Sequence, residues 1–482
     1  MSFRATIAQL SDILGTTPTN PATADLTALA AGITTDTRLL KAGDVFLALR
    51  GETFDGHAFI ERATAKGAIA AIVDQRWHDD SAANSDTSAL PLLPVADTLQ
   101  AYQAIAHWWR NQFTIPVVAV TGSVGKTTTK ELIAAVLSQQ GTVLKSQANY
   151  NNEIGVPKTL LELGAEHTFA VIEMGMRARG EIALLTQIAR PDVAVITNVG
   201  TAHIGRLGSE LAIAQAKCEL LAEMPSDSIA ILNQDLPLLM ETAATVWHGK
   251  TLTYGLDGGE LHGQLTDPQT LDVAGWALPL PLPGRHNALN YLAALAVAKT
   301  LGVDWAPLAQ GIAVTLPDGR AQRYELPNDV VLLDETYNAG VESMLASLQL
   351  LAQTPGTRRL AVLGTMKELG ERSPEFHHRI GVAARELKLD RLLILADATE
   401  ANAIAAGAEP LLSECFSSHA AVVERLQTLV QPGDRILFKA SRAVGLDQVV
   451  KQFRDQHTQP QHPQNPQHEL DQVVKQFRDQ HK

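Results

Sequence analysis

Short hydrophobic runs alternate with amphipathic stretches along the middle of the chain. Apolar, β-branched runs predict strands at 115–120, 169–172, 193–197 and 229–232, and the spacing of apolar residues in 126–139 predicts a helix. Strands that alternate with helices favour a largely parallel sheet covered by helices on both faces. The middle of the chain is therefore predicted to be an α/β domain.

The flanking regions show two further patterns. Residues 1–112 carry short strands and turns, and the stretch 80–96, rich in Ser, Asp, Pro and Ala, is predicted to be a surface loop. From residue 324, a second series of apolar runs and helical stretches indicates a smaller Rossmann-like domain. A length of 482 residues suits about three domains at roughly 150 residues each. The predicted division is a small α/β domain, a central domain, a Rossmann-like domain and a tail: 1–112, 113–323, 324–457 and 458–482.

The tail contains a repeat. Residues 446–457 read LDQVVKQFRDQH, and residues 470–481 carry the same twelve letters. The spacer between the copies is rich in Gln, Pro and His, a composition typical of disordered segments. We predict that the tail is disordered and that the duplication has no function of its own.

Composition restricts the classes of function. The chain is 45% hydrophobic and 19% charged, as in soluble globular proteins, and no apolar run approaches the roughly 20 residues of a membrane span. Its two cysteines, Cys218 and Cys415, lack CxxC spacing, which argues against disulfides or zinc and fits a cytoplasmic protein. The net charge of −13, without a long basic run, argues against a nucleic-acid partner.

The strongest chemical signal is a glycine-containing loop between the first predicted strand and helix of the central domain. Gly122 and Gly125 allow backbone N–H groups to face a phosphate without a Cβ in the way. Lys126 can reach the β- and γ-phosphates of ATP, and the hydroxyl of Thr127 can coordinate Mg²⁺. The predicted phosphate loop consists of Gly122, Ser123, Val124, Gly125, Lys126, Thr127 and Thr128.

Three more side chains follow elements of the same predicted domain. Glu173 ends a strand, where its carboxylate could hold Mg²⁺ together with Thr127 or form an ordinary salt bridge. His203 follows the strand 193–197, and its imidazole could bind a divalent ion or be structural. Lys217 lies on a predicted helix, where a solvated lysine is the ordinary interpretation.

Several motifs, spread over about residues 33–450, resemble those of the Mur ligases. They follow the phosphate loop in the family's order: NYNNEIGVP at 149–157, EMG at 173–175, ITNVGTAH at 196–203, AKCE at 216–219, GRHNALN at 284–290, DETYNA at 334–339, ELG at 368–370 and KASR at 439–442. Each motif is weak alone, but their joint occurrence is specific. The resemblance implies an ATP-dependent ligase, and the pattern is that of family members that join D-alanyl-D-alanine to UDP-N-acetylmuramoyl-tripeptide.

The resemblance also implies roles for individual residues. It implies two Mg²⁺ ions, held by Thr127, Glu173, His203 and Lys217, with the lysine carbamylated by CO₂. An amine must be neutral to react with CO₂, so this role requires that burial lower the pKa of Lys217. The implied catalytic residues are Lys126, Lys217, His203 and Arg320.

The remaining implied roles concern ATP and the peptide substrate. Nucleotide contacts beyond the phosphate loop are implied for Asn290, Arg320, Asp334, Tyr337 and Asn338. Substrate contacts, including those to the uridine diphosphate, are implied for Thr35, Asp36, Thr37, Arg38, Asp55, Gly56, His57, Asn151 and Asn152. We expect a monomer that acts on small molecules, without a nucleic-acid partner or membrane insertion.

Three other functions remain open on the sequence. A sibling ligase adds the third, diamino amino acid to the peptide, but its typical Asp-Asn-Pro-Arg segment does not occur in this chain. Folate polyglutamylation is a more distant ligase alternative, and the segments of the first domain count against it. A nucleotide-binding regulator without catalysis is disfavoured because Lys126, Glu173, His203 and Lys217 are all present.

Overall fold

The structure is a computed structural model that describes residues 3–19, 25–51, 54–83 and 90–458. The second copy of the repeat and almost all of the predicted tail therefore lie outside the described residues. The chain packs as two units. Residues up to Pro317 form the first unit, together with the short segments Gly340–Ala346 and Glu368–Arg372, and the remaining residues form the second.

The beginning of the first unit contains two small sheets. Strands β1 and β2 pair antiparallel, and β3 to β6 form a parallel sheet in sequence order. The strands are β1 Ala5–Thr6, β2 Leu29–Ala30, β3 Ile33–Thr34, β4 Val45–Leu47, β5 Ala70–Asp74 and β6 Leu92–Val95. The helices are α1 Ile7–Leu14, α2 Ile60–Ala65, α3 Gln75–Ala83 and α4 Thr98–Arg110, with a 3₁₀ turn at Gly56–Phe59. The predicted loop over 80–96 is wrong at both ends, because α3 enters it and β6 lies inside it.

A nine-stranded sheet forms the rest of the first unit. Its order is β15-β14-β13-β12-β11-β10-β7-β9-β8, and only the β13–β14 and β14–β15 pairs are antiparallel. The strands are β7 Val117–Thr121, β8 Val143–Lys145, β9 Phe169–Glu173, β10 Val193–Ile196, β11 Ile229–Asn233, β12 Lys250–Gly255, β13 Leu261–Asp267, β14 Thr270–Val273 and β15 Trp276–Pro279. The helices are α5 Lys126–Leu137, α6 Gly155–Leu160, α7 Glu181–Ala189, α8 Ile204–Leu207, α9 Glu210–Glu223, α10 Pro237–Ala244 and α11 Arg285–Thr300, with a 3₁₀ turn at Ala306–Gln310.

The centre of this sheet brings the carboxyl ends of β7, β9 and β10 together. Strands β7, β9 and β10 are buried along their whole length, as expected for parallel strands that have helices on both faces. The chain crosses from one side of β7 to the other between β9 and β10. Such a crossing point lies outside the carboxyl ends of the strands and is where α/β sheets bind ligands.

The second unit is built on a six-stranded sheet. Its order is β16-β17-β21-β18-β19-β20, with β16 antiparallel and the other pairs parallel. The strands are β16 Gln322–Leu326, β17 Val330–Asp334, β18 Arg358–Gly364, β19 Arg391–Leu395, β20 Ser413–Cys415 and β21 Asp434–Lys439. The helices that follow residue 340 are α12 Val341–Gln353, α13 Ser373–Glu386, α14 Ala398–Ala408, α15 His419–Leu429 and α16 Leu446–Thr458, with a 3₁₀ turn at Arg442–Val444. The first residues of α12 and a 3₁₀ turn at Gly370–Arg372 belong to the first unit.

The predicted fold class, α/β with largely parallel sheets, is confirmed by these three main sheets. The prediction missed the strands from β12 to β15, which extend the central sheet beyond β11. In the part of the chain that the structure describes, no helix has both the length and the apolar character needed to cross a membrane.

Candidate functional site

The predicted phosphate loop follows β7 and leads directly into α5. The segment after β10 holds it in place: Asn198 accepts a hydrogen bond from the N–H of Val124 at 2.9 Å and donates one to its carbonyl at 2.8 Å. A Cβ on Gly122 would lie 1.9 Å from Oγ1 of Thr197, so only glycine permits this approach. The sheet therefore fixes the loop at the amino end of α5, where the helix dipole favours an anion.

Two side chains complete the loop. Nζ of Lys126 donates to the carbonyl of Gly122 at 2.7 Å. The side chain of this lysine therefore lies over the loop at which a phosphate would bind. Asn290, in the second turn of α11, accepts a hydrogen bond from the hydroxyl of Thr129 at 3.1 Å. Its Oδ1 would lie 2.8 Å from a Cβ on Gly125. Asn290 therefore packs directly against the loop, where the resemblance places a nucleotide contact.

A matched pair of glycines tests this packing. Gly125 and Gly180 each precede a helix in the left-handed region, at φ 80° and 86°. Alanine in this conformation costs about 1 kcal/mol of strain at either position. Gly125→Ala also displaces Asn290, whereas no described atom lies within 4 Å of a Cβ at Gly180. We expect calorimetry to show weaker binding of an ATP analogue by about tenfold or more in Gly125→Ala only. Equal affinities for the two variants would contradict the packing role.

Glu173 lies at the end of β9 and pairs in register with Val120, just before the loop. Its Oε1 accepts a hydrogen bond from Nδ2 of Asn151 at 2.8 Å. Its Oε2 is buried and has no hydrogen-bond partner among the residues that the structure describes, and the ammonium of Lys130 lies 3.9 Å from it, beyond hydrogen-bond distance. A buried carboxylate oxygen without a partner is costly unless a cation or donor faces it. This oxygen therefore fits a Mg²⁺ ligand, as does the buried hydroxyl-bearing residue Thr127.

Lys217 is buried, contrary to the ordinary interpretation of a helical lysine. Its exposed fraction on α9 is 1%. Burial lowers the pKa of Lys217 well below its usual value of 10.5, and the nearby charge of Lys126 lowers it further. The interaction with Lys126 places Lys217 near the phosphate loop. A lowered pKa increases the neutral fraction of the amine, and the neutral amine is the form that reacts with CO₂.

His203 ends the loop after β10 and precedes α8. Its backbone has φ 67°, an uncommon value for a side-chain-bearing residue. Its Nδ1 lies 2.6 Å from Oε2 of Glu368, which is close enough for an ion pair but not aligned as a hydrogen bond. The proximity of His203 is the largest cause of a lowered pKa at Glu368. His203 therefore lies next to a carboxylate that the sequence did not assign to it.

A metal site at this edge would need ligands of several kinds. Within residues 3–19, 25–51, 54–83 and 90–458, no three His, Cys, Asp or Glu side chains are clustered as a metal cage. Hydroxyl groups, a modified lysine and phosphate oxygens would have to contribute. This mixed oxygen set is what Mg²⁺ uses when it binds together with a nucleotide.

The residues predicted to contact ATP in the second unit lie together. The guanidinium of Arg320 stacks over the ring of Tyr337, 4.0 Å from its centroid. Asp334 ends β17 and accepts hydrogen bonds from the N–H and hydroxyl of Thr336 at 3.0 and 2.6 Å, while burial raises its pKa. The carbonyl of Asn338 accepts a hydrogen bond from Lys439 at 3.1 Å.

The predicted uridine-diphosphate residues occupy two turns beside the four-stranded sheet. Thr35 and Thr37 flank Asp36 directly after β3. Arg38 forms a two-point ion pair with Asp36, at 3.0 and 2.7 Å, which lowers the pKa of that carboxyl to about 2. The Arg38 side chain is 79% exposed, so its guanidinium remains accessible to a ligand.

The second of these turns is held by a buried histidine. His57 accepts a hydrogen bond from the N–H of Asp74 at 2.9 Å through Nε2, and its Nδ1 faces the carboxylate of Asp55. A Cβ on Gly56 would lie 2.6 Å from the carbonyl of Leu49, so the turn packs tightly. Both ring nitrogens of His57 therefore have partners within this region, so His57 holds Asp55 and the turn in position.

Asn151 and Asn152 have structural partners within the first unit. Asn151 binds Glu173, as described above, and Asn152 accepts a hydrogen bond from the N–H of Gly155 at the start of α6, at 2.9 Å. Sequence reasoning assigned no role to Lys130 and Asn198. Two features of the sequence pointed to them: Lys130 follows Lys126 by four residues, and Asn198 lies within the motif ITNVGTAH at 196–203.

The fold, together with the phosphate loop between β7 and α5, defines the chain as a nucleotide-phosphate-binding α/β protein. Comparison with known families is more specific, because three consecutive segments match Mur ligase domains. Residues 30–110 match the Mur ligase family catalytic domain, 120–298 the Mur ligase middle domain, and 319–442 the Mur ligase glutamate ligase domain. The chain belongs to the Mur ligase family. The predicted three-domain architecture and the class of ATP-dependent ligase are thereby confirmed.

Individual proteins within the family show which Mur ligases the chain resembles. The chain is 61% identical to the UDP-N-acetylmuramoyl-tripeptide–D-alanyl-D-alanine ligase of Synechocystis sp., over 87% of this chain and 91% of that protein. The crystal structure I of MurF from Acinetobacter baumannii has a TM-score of 0.84 and 31% identity, covering 94% and 99% of the two chains. MurF ligase from Thermotoga maritima in complex with ADP has a TM-score of 0.76 and 32% identity, covering 88% and 97%.

Proposed function

We propose that this chain joins D-alanyl-D-alanine to the terminal carboxylate of UDP-N-acetylmuramoyl-tripeptide, with conversion of ATP to ADP and phosphate. The product is the UDP-N-acetylmuramoyl-pentapeptide precursor of peptidoglycan. The proposal rests on the arrangement around the end of β7. The phosphate loop, the buried Oε2 of Glu173 and the buried amine of Lys217 belong to this region. The name of the Synechocystis relative supplies the substrates.

The first step activates the tripeptide. Its terminal carboxylate oxygen attacks the γ-phosphorus of ATP, and the bond between this phosphorus and the oxygen that bridges it to the β-phosphate breaks. ADP is released, and the tripeptide now carries an acyl phosphate. Backbone N–H groups of the phosphate loop and the ammonium of Lys126 hold the phosphates and offset the repulsion between two anions. In the second unit, we assign Arg320 to the γ-phosphate, and Asp334, Tyr337 and Asn338 to the nucleoside.

The second step forms the amide. The neutral amine of D-alanyl-D-alanine attacks the acyl carbon, and the tetrahedral intermediate collapses as the carbon–oxygen bond to phosphate breaks. The proton lost by the amine passes to a base or to water, and phosphate leaves. Positioning both substrates at one site converts a bimolecular reaction into an effectively intramolecular one.

We further propose two Mg²⁺ ions, held by Thr127, Glu173, His203 and a carbamate on Lys217. When bound, these ions would neutralise charge on the γ-phosphate and the reacting carboxylate. Carbamylation joins the Lys217 nitrogen to the carbon of CO₂ and releases a proton. The burial and lowered pKa of Lys217 support this modification.

The remaining assignments concern substrate contacts, domain bounds, cellular location and oligomeric state. Thr35 to Arg38 and Asp55 to His57 are proposed to serve the uridine diphosphate, with Asn151 and Asn152 acting near the peptide and Asn290 near the nucleotide. We keep the domain bounds 1–112, 113–323 and 324–457 and the tail 458–482 as a proposal. We also propose that the protein is cytoplasmic and acts as a monomer.

One assay tests the proposed reaction. Purified protein, ATP, Mg²⁺ and UDP-N-acetylmuramoyl-tripeptide are incubated with D-alanyl-D-alanine or with single amino acids, and product mass and phosphate are measured. We expect pentapeptide and phosphate in equal amounts with the dipeptide only. Product with single amino acids only would refute the assigned specificity and favour a sibling ligase. Phosphate release that needs neither acceptor would indicate a nucleotide switch.

A further inference from the structure

Lys130 is a buried charge that the proposed reaction leaves unexplained. It lies on α5, four residues after Lys126 and therefore on the same side of the helix. Its side chain is 0% exposed, and lysines are almost never fully buried unless they are paired. A packing role alone would be served by an apolar residue at lower cost.

The contacts of Lys130 lead to Glu173. Its Nζ donates to the carbonyl of Ser146 at 2.6 Å, and the hydroxyl of Ser146 in turn accepts a hydrogen bond from the N–H of Glu173 at 3.0 Å. The same ammonium lies 3.0 Å from Oε1 of Glu131 and 3.9 Å from Oε2 of Glu173. Lys130 therefore faces the very oxygen that fits a metal ligand.

These residues form a balanced group, which we call the Glu173 charge cluster: Lys130, Glu131, Lys145 and Glu173. Lys145 forms an ion pair with the other oxygen of Glu131. With both lysines protonated and both carboxylates ionised, the formal charge is zero. A divalent cation that binds Glu173 alone would enter a cluster that is already neutral, at a short distance from the ammonium of Lys130. Like charges a few ångströms apart repel strongly in a buried environment.

We propose that Lys130 is a positioning residue that keeps the cation site at Glu173 weak until the nucleotide is bound. In the free protein, its ammonium supplies the counter-charge that a buried carboxylate requires. The triphosphate brings negative charge that offsets the repulsion, so Mg²⁺ is held at Glu173 together with ATP rather than before it. The inference rests on the proposed function, because it takes Glu173 as a metal ligand.

Direct binding of Mn²⁺, measured by electron paramagnetic resonance without nucleotide, tests the inference independently of turnover. Lys130→Met removes the ammonium and keeps a similar chain length. We expect it to tighten Mn²⁺ binding at the Glu173 site by about tenfold or more, because the repelling charge is gone. Lys130→Arg, which retains the charge, should bind like the wild type. A merely structural role would not produce a gain in affinity.

Two controls define the site and the charge effect. Lys145→Met removes the other lysine of the cluster, which is 33% exposed and pairs with Glu131, and should change the affinity less than about twofold. Glu173→Gln identifies which part of the Mn²⁺ signal belongs to this site. Unchanged or weaker binding in a folded Lys130→Met would overturn the inference while leaving the ligase proposal intact.

The wild-type protein provides a test that does not depend on the folding of a variant. We expect Mn²⁺ at the Glu173-dependent site to bind at least about tenfold more tightly with a non-hydrolysable ATP analogue than without it. Equal affinity in the two states would overturn the role of Lys130. If no Mn²⁺ signal depends on Glu173 in either state, the metal assignment in the proposed function fails instead.

Discussion

Lys217→Ala is expected to lower ligase turnover by about a hundredfold or more, because it removes the proposed carbamate ligand from the reacting centre. Lys217 is 1% exposed, and burial is the largest cause of its lowered pKa, with the charge of Lys126 next. The shortened side chain leaves space in the position of the lysine. Short carboxylates such as acetate or formate are therefore expected to restore part of the activity in a steady-state assay.

Lys217→Met is the matched control for this rescue. Methionine fills a volume similar to that of lysine, so it removes the amine without opening space for an added carboxylate. Both variants should lose activity, but only the alanine variant should respond to acetate. Full activity in Lys217→Ala would remove the carbamate proposal, and equal rescue of both variants would show that added carboxylate acts elsewhere.

The same methionine variant has a predictable stability. Because the pKa of Lys217 is lower in the folded protein than its usual 10.5, the buried amine opposes folding below that pH and less so as the pH rises toward it. In CO₂-free buffer, Lys217→Met should therefore unfold at a higher temperature than the wild type near pH 7. The difference should shrink as the pH approaches 10. A stability gap independent of pH would argue against the lowered pKa.

Glu173→Gln is expected to lower turnover by about a hundredfold or more, and most of this loss should persist at saturating ATP. Glutamine preserves the shape of the side chain and its oxygen can still accept the hydrogen bond from Asn151. It removes the negative charge at the position of Oε2, which has no hydrogen-bond partner in the described chain. Titration with Mg²⁺ should show a much weaker metal dependence than in the wild type.

Glu219→Gln is the matched carboxylate control. Glu219 lies on α9, and both of its oxygens already accept hydrogen bonds from the N–H of Gly180, at 2.8 and 3.0 Å. The loss of the Glu219 carboxylate should leave the Mg²⁺ dependence of turnover unchanged, because its oxygens stabilise the turn before α7. If Glu173→Gln behaves like Glu219→Gln, then Glu173 is a structural carboxylate and holds no metal.

Sequence alone predicted the parts of the site that depend on local pattern. Strand β7, the phosphate loop and α5 follow directly from an apolar run, two glycines and helical spacing. Glu173 and His203 could be placed near the loop because parallel strands end at one edge of a sheet. The observed register confirms the placement of Glu173, which pairs with Val120 immediately before the loop.

Other features depend on tertiary packing that no local pattern encodes. The burial of Lys217 and Lys130 arises from neighbours that are distant in sequence, such as Ser146 beside Lys130. The strands from β12 to β15 are polar on one face and lie at the sheet edge, so their hydrophobic pattern is weak. The stretch 80–96 was predicted as loop because its Ser and Asp residues concealed the end of α3. The prolines at 91 and 94 disfavoured a strand in the apolar run that forms β6.

A crystal structure of the protein with a non-hydrolysable ATP analogue and Mn²⁺ tests the central claim most directly. Anomalous scattering would locate the metal without ambiguity. The account predicts the triphosphate against the backbone from Gly122 to Thr127, with Mn²⁺ bound directly to a carboxylate oxygen of Glu173. A triphosphate bound elsewhere, with Glu173 and His203 directed away from every Mn²⁺ ion, would contradict it.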